Sequence, residues 1–173
     1  MKIIAFAGSP SKNSINKKLA IYAANFFKDA DVEVLDLNDF QMPIFSVDIE
    51  KEIGQHPLAK VFLDKIASAD ILVVSLAENN GNYSAAFKNI FDWSSRITKK
   101  IFQEKQMLLM ATSPGGRGGA SVLEMATKAF PFYGANVKAT FSLPSFNDNF
   151  DIEKEIISNL ELNNQLEVIV NNF

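Results

Sequence analysis

Residues 3–16, IIAFAGSPSKNSIN, decide how the rest of the chain is read. Ile3 to Ala7 is an apolar run suited to a buried strand, Gly8-Ser9-Pro10 breaks it, and a helix restarts near Ser14. The intervening loop therefore sits at a helix N-terminus, where free backbone N–H groups and the positive end of the helix dipole attract an anion. The hydroxyls of Ser9, Ser11 and Ser14 and the amide of Asn16 add donors, and phosphate is the obvious guest. A plainer reading stands beside it: Gly8 and Pro10 only turn the chain, and Ser14 only caps the helix.

The 173 residues are 47% hydrophobic, which suits a single domain over residues 1–173 with a full core. Seventeen basic against twenty acidic residues give a net charge of −3, and no basic block or aromatic-basic stripe attracts a nucleic-acid backbone. The chain has no cysteine, which excludes disulfides, thiolate nucleophiles and cysteine-ligated metals and agrees with a reducing compartment. No apolar run approaches the ~20 residues that span a bilayer, and no signal-peptide pattern precedes the first strand. The expectation is a soluble cytoplasmic protein that engages neither nucleic acid nor membrane.

Beyond the loop, Ile15, Leu19, Tyr22, Ala23 and Phe26 recur at helical spacing and form an apolar stripe. A second strand follows over Val32 to Leu37. Asn38 to Gly54 reads as one long irregular connection, whose Met42, Ile44 and Phe45 either plug the core edge or face a second subunit. Pro57 opens the next helix, with Leu58, Val61, Phe62 and Ile66 as its buried face. His56, the only histidine, reads as a surface residue, because a metal site lacks a second one. Ile71 to Ser75 is an unbroken β-branched run of the kind a central parallel strand shows.

That strand ends in the polar Leu76-Ala77-Glu78-Asn79-Asn80-Gly81-Asn82-Tyr83. A helix follows from Ser84, with Trp93 inward and Asp92 to Arg96 as an i,i+4 pair. A fourth strand over Lys105 to Thr112 runs into Ser113-Pro114-Gly115-Gly116-Arg117-Gly118-Gly119. So glycine-dense a loop either needs positive φ at several positions or lets a ligand approach the backbone. A helix over Ala120 to Phe132, a strand over Asn136 to Phe141 and a terminal helix from about Ile152 complete the pattern. Five strands alternating with five helices predict a doubly wound α/β fold with a five-stranded parallel sheet in the order 2-1-3-4-5. The loops after strands one, three and four then converge on one crevice at the strands' carboxyl ends.

The residues of these loops resemble the NAD(P)H-dependent FMN reductases of flavodoxin-like fold, a family that includes bacterial quinone, azo-dye and chromate reductases. Gly8, Ser9, Ser14, Asn16, Leu19 and Ala20 match the family's G-S-x-R-x-x-S-x-N-x-x-L-A. Glu78, Asn80, Gly81 and Tyr83, with Lys88, Asn89, Asp92 and Trp93, follow its P-E-Y-N and K-N-x-x-D-W. Ser113, Pro114, Gly115, Gly118 and Gly119 follow its S-P-G-x-x-G-G, and Asp36-Leu37 with Met42-Pro43-Ile44 is also similar. The likeness reaches to about residue 140.

The resemblance implies that Ser9, Ser14 and Asn16 hold the FMN phosphate with the backbone of Ile15, that Glu78 to Gly81 line the isoalloxazine edge, and that Ser113 to Gly116 pass near the ring or the nicotinamide. It implies hydride transfer from NAD(P)H through FMN to a quinone-like acceptor, with no acid–base residue and no metal, in a homodimer or homotetramer. Three contact positions depart from the pattern: Ser11 stands for arginine, Ala77 for proline and Asn79 for tyrosine. Lys12, Lys17 and Lys18 are candidates to restore the missing charge. Two other readings are a single-electron flavodoxin-like carrier and a sheet that has lost its flavin and serves as a scaffold. A flavodoxin usually has a compact Thr- or Ser-rich phosphate loop and a more acidic chain, and no G-x-G-x-x-G supports a Rossmann dehydrogenase.

Overall fold

In the computed structural model, which describes residues 1–173, five parallel strands form one sheet: β1 (Lys2–Gly8), β2 (Asp31–Leu35), β3 (Ile71–Leu76), β4 (Gln106–Thr112) and β5 (Asn136–Leu143). Their order is β2-β1-β3-β4-β5, the flavodoxin-like arrangement that the sequence pattern predicts. The register explains the unbroken apolar runs. Ile4, Phe6, Leu72, Val74, Met107 and Leu109 point to one face, while Ile3, Ala5, Val73, Leu108 and Met110 point to the other. Both faces are covered, so no position in a central strand is free to be polar until the strand's end.

The first face packs under α3 (Pro57–Ser68), α4 (Ala85–Ile97) and α5 (Ala120–Ala129), and the second under α1 (Ile15–Ala24) and the C-terminal α7 (Leu160–Asn171). Phenylalanines dominate the first core: Phe6 meets Phe62 edge to face at 5.7 Å between ring centroids, and Phe102 lies 4.6 Å from Phe130. Trp93 is fully buried, as its place in the helical pattern predicts.

Several boundaries differ from the sequence pattern for local reasons. The stretch after β2 is not one irregular connection: Asp36 caps a 3-10 turn at Leu37–Phe40, and Ser46 caps α2 (Val47–Ile53), each accepting a backbone N–H. Between them, Asn89 accepts the Phe45 N–H and donates to the carbonyls of Met42 and Pro43, while Trp93 Nε1 donates to the Pro43 carbonyl at 2.8 Å. The segment is thus clamped to α4. Met42 and Phe45 pack inward, whereas Ile44 is 82% exposed.

On α3, Val61 faces outward and Ala59 and Leu63 take the buried positions. On α4, Asp92 pairs backwards with Lys88 at 2.7 Å, and Arg96 reaches across to Glu50 at 2.9 Å, so the Asp92–Arg96 pair does not form. His56 is half-buried and caps α3, its Nδ1 accepting the Leu58 N–H. The terminal helix starts at Leu160 rather than near Ile152 because the chain first makes a short helix, α6 (Phe146–Asn149), and a hairpin of β6 (Phe150–Asp151) and β7 (Ile156–Ile157). Phe146, Phe150 and Ile157 bury themselves against the second face there. No helix is long and apolar enough to cross a membrane.

Candidate functional site

At the carboxyl ends of β1, β3 and β4 the three loops converge on a crevice of about 280 Å³. Its first wall is the β1–α1 loop, with Ser9, Ser11, Asn13, Ser14, Ile15 and Asn16. Ser14 caps α1 by accepting the Lys17 N–H, and Ser9 Oγ accepts the Ser11 N–H at 3.2 Å. The N–H groups of Ser9, Asn13, Ile15 and Asn16, all on this wall, make no hydrogen bond within the chain. Capping at Ser14 therefore coexists with a nest of open donors at the positive end of α1, the chemistry that binds a phosphate or carboxylate.

The floor is a hydrogen-bonded line across the strand ends. Asn16 is buried, its Nδ2 donates to the Thr112 carbonyl at 3.1 Å, and its Oδ1 accepts from the Thr112 N–H at 3.0 Å and the Ser75 hydroxyl at 2.7 Å. Thr112 Oγ1 then donates to the Leu143 carbonyl at 2.6 Å, tying in β5. The Asn16 carboxamide therefore holds the loops together through its oxygen and one Nδ2 hydrogen, while the second Nδ2 hydrogen and the backbone N–H have no partner within the chain.

Across the crevice lie Ala77, Glu78 and Asn79. Glu78 Oε2 accepts the Val122 N–H at 3.0 Å, supplying from a distant loop the cap that Gly119 cannot give α5. The carboxylate is thereby turned toward the α5 N-terminus. Asn79 and Asn82 exchange two backbone hydrogen bonds around Asn80 and Gly81, whose φ values of 52° and 76° make a tight turn of the primed type. Asn80 and Gly81 stand exposed at the tip of that turn, outside the crevice wall, so the structure does not bring them together with the other expected contacts. Tyr83 instead lies behind the loop, stacked on Phe130, where burial and then the neighbouring Tyr133 push its phenol up to about 12.

From the third loop, Ser113 and Pro114 line the crevice, while Gly115 and Gly116 are exposed beyond its wall. The glycine density has a packing cause. A Cβ on Gly118, at φ +56°, would lie 2.3 Å from Ser142 Oγ, and one on Gly119, at φ +76°, would lie 2.8 Å from the Ala111 Cβ. The loop is fastened to the β5–α6 connection by the Ser145 and Phe146 N–H groups, which donate to the carbonyls of Gly115 and Ser113.

Sequence reasoning missed Asn13 in the wall and Ser75 and Thr112 in the floor, while Pro114 lines the crevice within the Ser113 to Gly116 stretch expected there. The one available signal was a hydroxyl residue at the end of each of two otherwise apolar strands. Of the lysines considered as charge donors, Lys17 is bound to Asp36 at 2.7 Å, holding that carboxyl below its ordinary range, and Lys18 leans toward Glu155 at 3.5 Å. Lys12 makes no ion pair and lines an adjoining groove.

Residues 1–148 match the family described as NADPH-dependent FMN reductase. A Mycoplasma pneumoniae protein is 31% identical over 148 residues, spanning 83% of this chain and 87% of its own. The 2-hydroxy-1,4-benzoquinone reductase of a Burkholderia species is 30% identical over 122 residues, 69% of this chain. The match covers 64% of that enzyme's length, a little under two thirds. Among solved structures, the Paracoccus denitrificans flavoenzyme FerB, an NAD(P)H:(acceptor) oxidoreductase, superposes with a TM-score of 0.76 over 99% of this chain and 93% of its own. At 19% identity it shows a shared fold. By the family match over residues 1–148, the chain belongs to the NADPH-dependent FMN reductase family.

Proposed function

We propose that this chain is an NAD(P)H-dependent reductase that uses FMN in the crevice to reduce a quinone-type acceptor. The observation that carries the reading is the set of open N–H groups of Ser9, Asn13, Ile15 and Asn16 at the N-terminus of α1, on the wall of the crevice where three strand-end loops meet. Those donors, with the hydroxyls of Ser9, Ser11 and Ser14, fit a phosphate in number and polarity. Ala77, Glu78 and Asn79 on one side and Ser113 and Pro114 on the other flank the space left for a flat ring system.

FMN held there would supply the hydride-transfer chemistry between a nicotinamide and the acceptor. The chain's own share is binding and orientation. Asn16 keeps the phosphate wall and the floor at a fixed spacing, and Glu78, held on the α5 N-terminus, keeps the opposite loop from collapsing into the crevice. The quinone reductase among the relatives supports the acceptor class. The reading includes a single flavodoxin-like domain over residues 1–173, a cytoplasmic location, and a homodimer or homotetramer in which exposed Ile44 and Val47 on the clamped segment meet a second copy.

The test is the rate of NADH and NADPH oxidation by purified protein with and without FMN and a benzoquinone. The expected result is oxidation that depends on both additions. Nicotinamide consumption that does not respond to FMN would refute the reading.

A further inference from the structure

The chain's only Asn-Gly pair, Asn80-Gly81, stands at the tip of the turn that follows β3, next to Asn79 of the crevice wall. Asn79 and Asn82 hold this turn closed with two backbone hydrogen bonds of 2.9 and 3.0 Å, and both tip residues are exposed. The Gly81 N–H makes no hydrogen bond within the chain. No hydrogen bond within the chain reaches the Asn80 carboxamide either, whereas that of Asn82 accepts the Tyr83 N–H at 2.8 Å. A Cβ at Gly81 would meet nothing within 4 Å, so the glycine nitrogen is open on its side-chain side.

These are the conditions for a reaction of the chain with itself. The Gly81 backbone nitrogen, on losing its proton to solvent, attacks the side-chain carbonyl carbon of Asn80. The new C–N bond closes a cyclic imide, and the side-chain nitrogen leaves as ammonia. Water then adds to one of the two ring carbonyls and breaks its C–N bond, giving aspartate when the side-chain carbonyl is cut free and isoaspartate when the main-chain carbonyl is. An amide and water become a carboxylate and ammonium, with no change of oxidation state. A side chain on the attacking residue would crowd this step, and glycine has none. Only the two bonds of an exposed turn must open for Asn80 to rotate into the ring geometry. Other asparagines lack this freedom. The Ser14 N–H after Asn13 is tied to the Ser11 carbonyl at 3.2 Å, and the carboxamides of Asn16 and Asn89 hold other loops.

We propose that Asn80 is a site of spontaneous covalent modification, converted to isoaspartate by the Gly81 nitrogen and water, and that the conversion loosens the crevice. Isoaspartate carries the Cβ of residue 80 in the main chain, which lengthens the turn by one atom and ends the Asn79–Asn82 pairing that holds Asn79 on the wall. Either product also adds a negative charge beside a crevice whose far wall offers open N–H groups to an anion. The effect on ligand binding rests on the assignment of the β1–α1 loop as the flavin phosphate site, whereas the modification itself does not.

The experiment incubates folded wild-type protein, Gly81→Ala and Asn80→Asp at mildly alkaline pH in heavy-oxygen water, maps their peptides by mass spectrometry and titrates each sample with FMN. The wild-type peptide carrying residues 80–81 should take up one solvent oxygen, with isoaspartate as the main product, faster than any other asparagine peptide and faster still as pH is raised. Gly81→Ala, whose added Cβ has open space around it, should slow the conversion at least about tenfold. Converted wild type should bind FMN about threefold to tenfold more weakly than fresh protein. Asn80→Asp, which carries the charge without the added main-chain atom, should fall between them. An Asn80 that survives in the folded protein while the urea-unfolded chain converts overturns the inference, and so does conversion that leaves FMN affinity unchanged. Fresh protein that binds no FMN removes the flavin site, and the modification then stands or falls on the mass gain at Asn80 alone.

Discussion

Asn16 and Thr112, 96 residues apart, are joined through both ends of the Asn16 carboxamide, which donates to the Thr112 carbonyl at 3.1 Å and accepts from its N–H at 3.0 Å. The pair works as a staple between the helix that follows β1 and the end of β4, and Ser75 adds β3 to it at 2.7 Å. All three residues are buried, so a partner lost from the staple leaves buried polar groups unpaired.

Asn16→Ala would leave the Thr112 N–H and carbonyl and the Ser75 hydroxyl unpaired in the interior. The expected cost is about 2–4 kcal/mol of stability, together with weaker FMN binding because the phosphate wall loses its spacing to the floor. Urea unfolding of the two proteins checks it. A loss below about 0.5 kcal/mol would show that the staple is not structural.

Gly118 tests the packing account of the glycine-dense loop. Gly118→Ala places a Cβ 2.3 Å from Ser142 Oγ and 2.9 Å from the Pro144 nitrogen at φ +56°, so backbone must shift. The expected destabilisation is about 2 kcal/mol or more. Gly115→Ala, whose Cβ would meet nothing closer than 4.0 Å, should cost less than about 0.5 kcal/mol. Thermal melts that rank the two in the opposite order would contradict the assignment.

The Lys17–Asp36 pair predicts a pH dependence. Its hydrogen bond from Lys17, and then the Asn38 N–H, lower the Asp36 pKa in the folded protein. A lowered folded pKa adds stability that is present above the unfolded carboxylate range and is lost as pH falls through the folded value. With the two side chains 29% and 31% exposed, the contribution is about 0.2–1 kcal/mol after solvent screening. Asp36→Asn should therefore be less stable than wild type at pH 7, and the gap should close below about pH 4. A gap that stays constant down to pH 2 would rule out the ion pair as its source.

The sheet was legible in the sequence because both of its faces are buried, which turns Ile3 to Ala7, Ile71 to Val74 and Met107 to Met110 into unbroken apolar runs. The convergence of the loops followed from the strand order and the position of each loop at a strand's carboxyl end. What stayed hidden were contacts between residues far apart in the chain. Nothing local distinguishes an Asn16 that binds a ligand from one that staples Thr112, or a Glu78 that lines a ring from one that caps α5. The terminal helix was placed too early for a similar reason. Nothing local to the residues from Ile152 onward shows that Ile157 pairs with Phe150 across a hairpin and packs, with Phe150 and with Phe146 of α6, against the second face of the sheet, which delays the helix to Leu160.

Ser11 carries the quantitative side of the phosphate assignment. It lies exposed on the crevice wall with no charged group of its own, and Lys17, in the first turn of α1, is held by Asp36. A charge-assisted hydrogen bond to phosphate is worth about 1.5–3 kcal/mol, or roughly tenfold to a hundredfold in affinity. The expectation is that FMN is held loosely and exchanges, and that Ser11→Arg tightens it by about tenfold or more at fixed ionic strength. An affinity unchanged by the substitution would leave the loop without a phosphate.

The central claim is that the free N–H groups at the start of α1 bind the phosphate of the flavin, and the most direct measurement compares FMN with riboflavin, which differ in that group alone. Equilibrium titration of the protein by flavin fluorescence quenching should give FMN an affinity at least about tenfold higher than riboflavin, with the difference shrinking as salt is raised. Equal affinities for the two flavins at low salt would contradict the account.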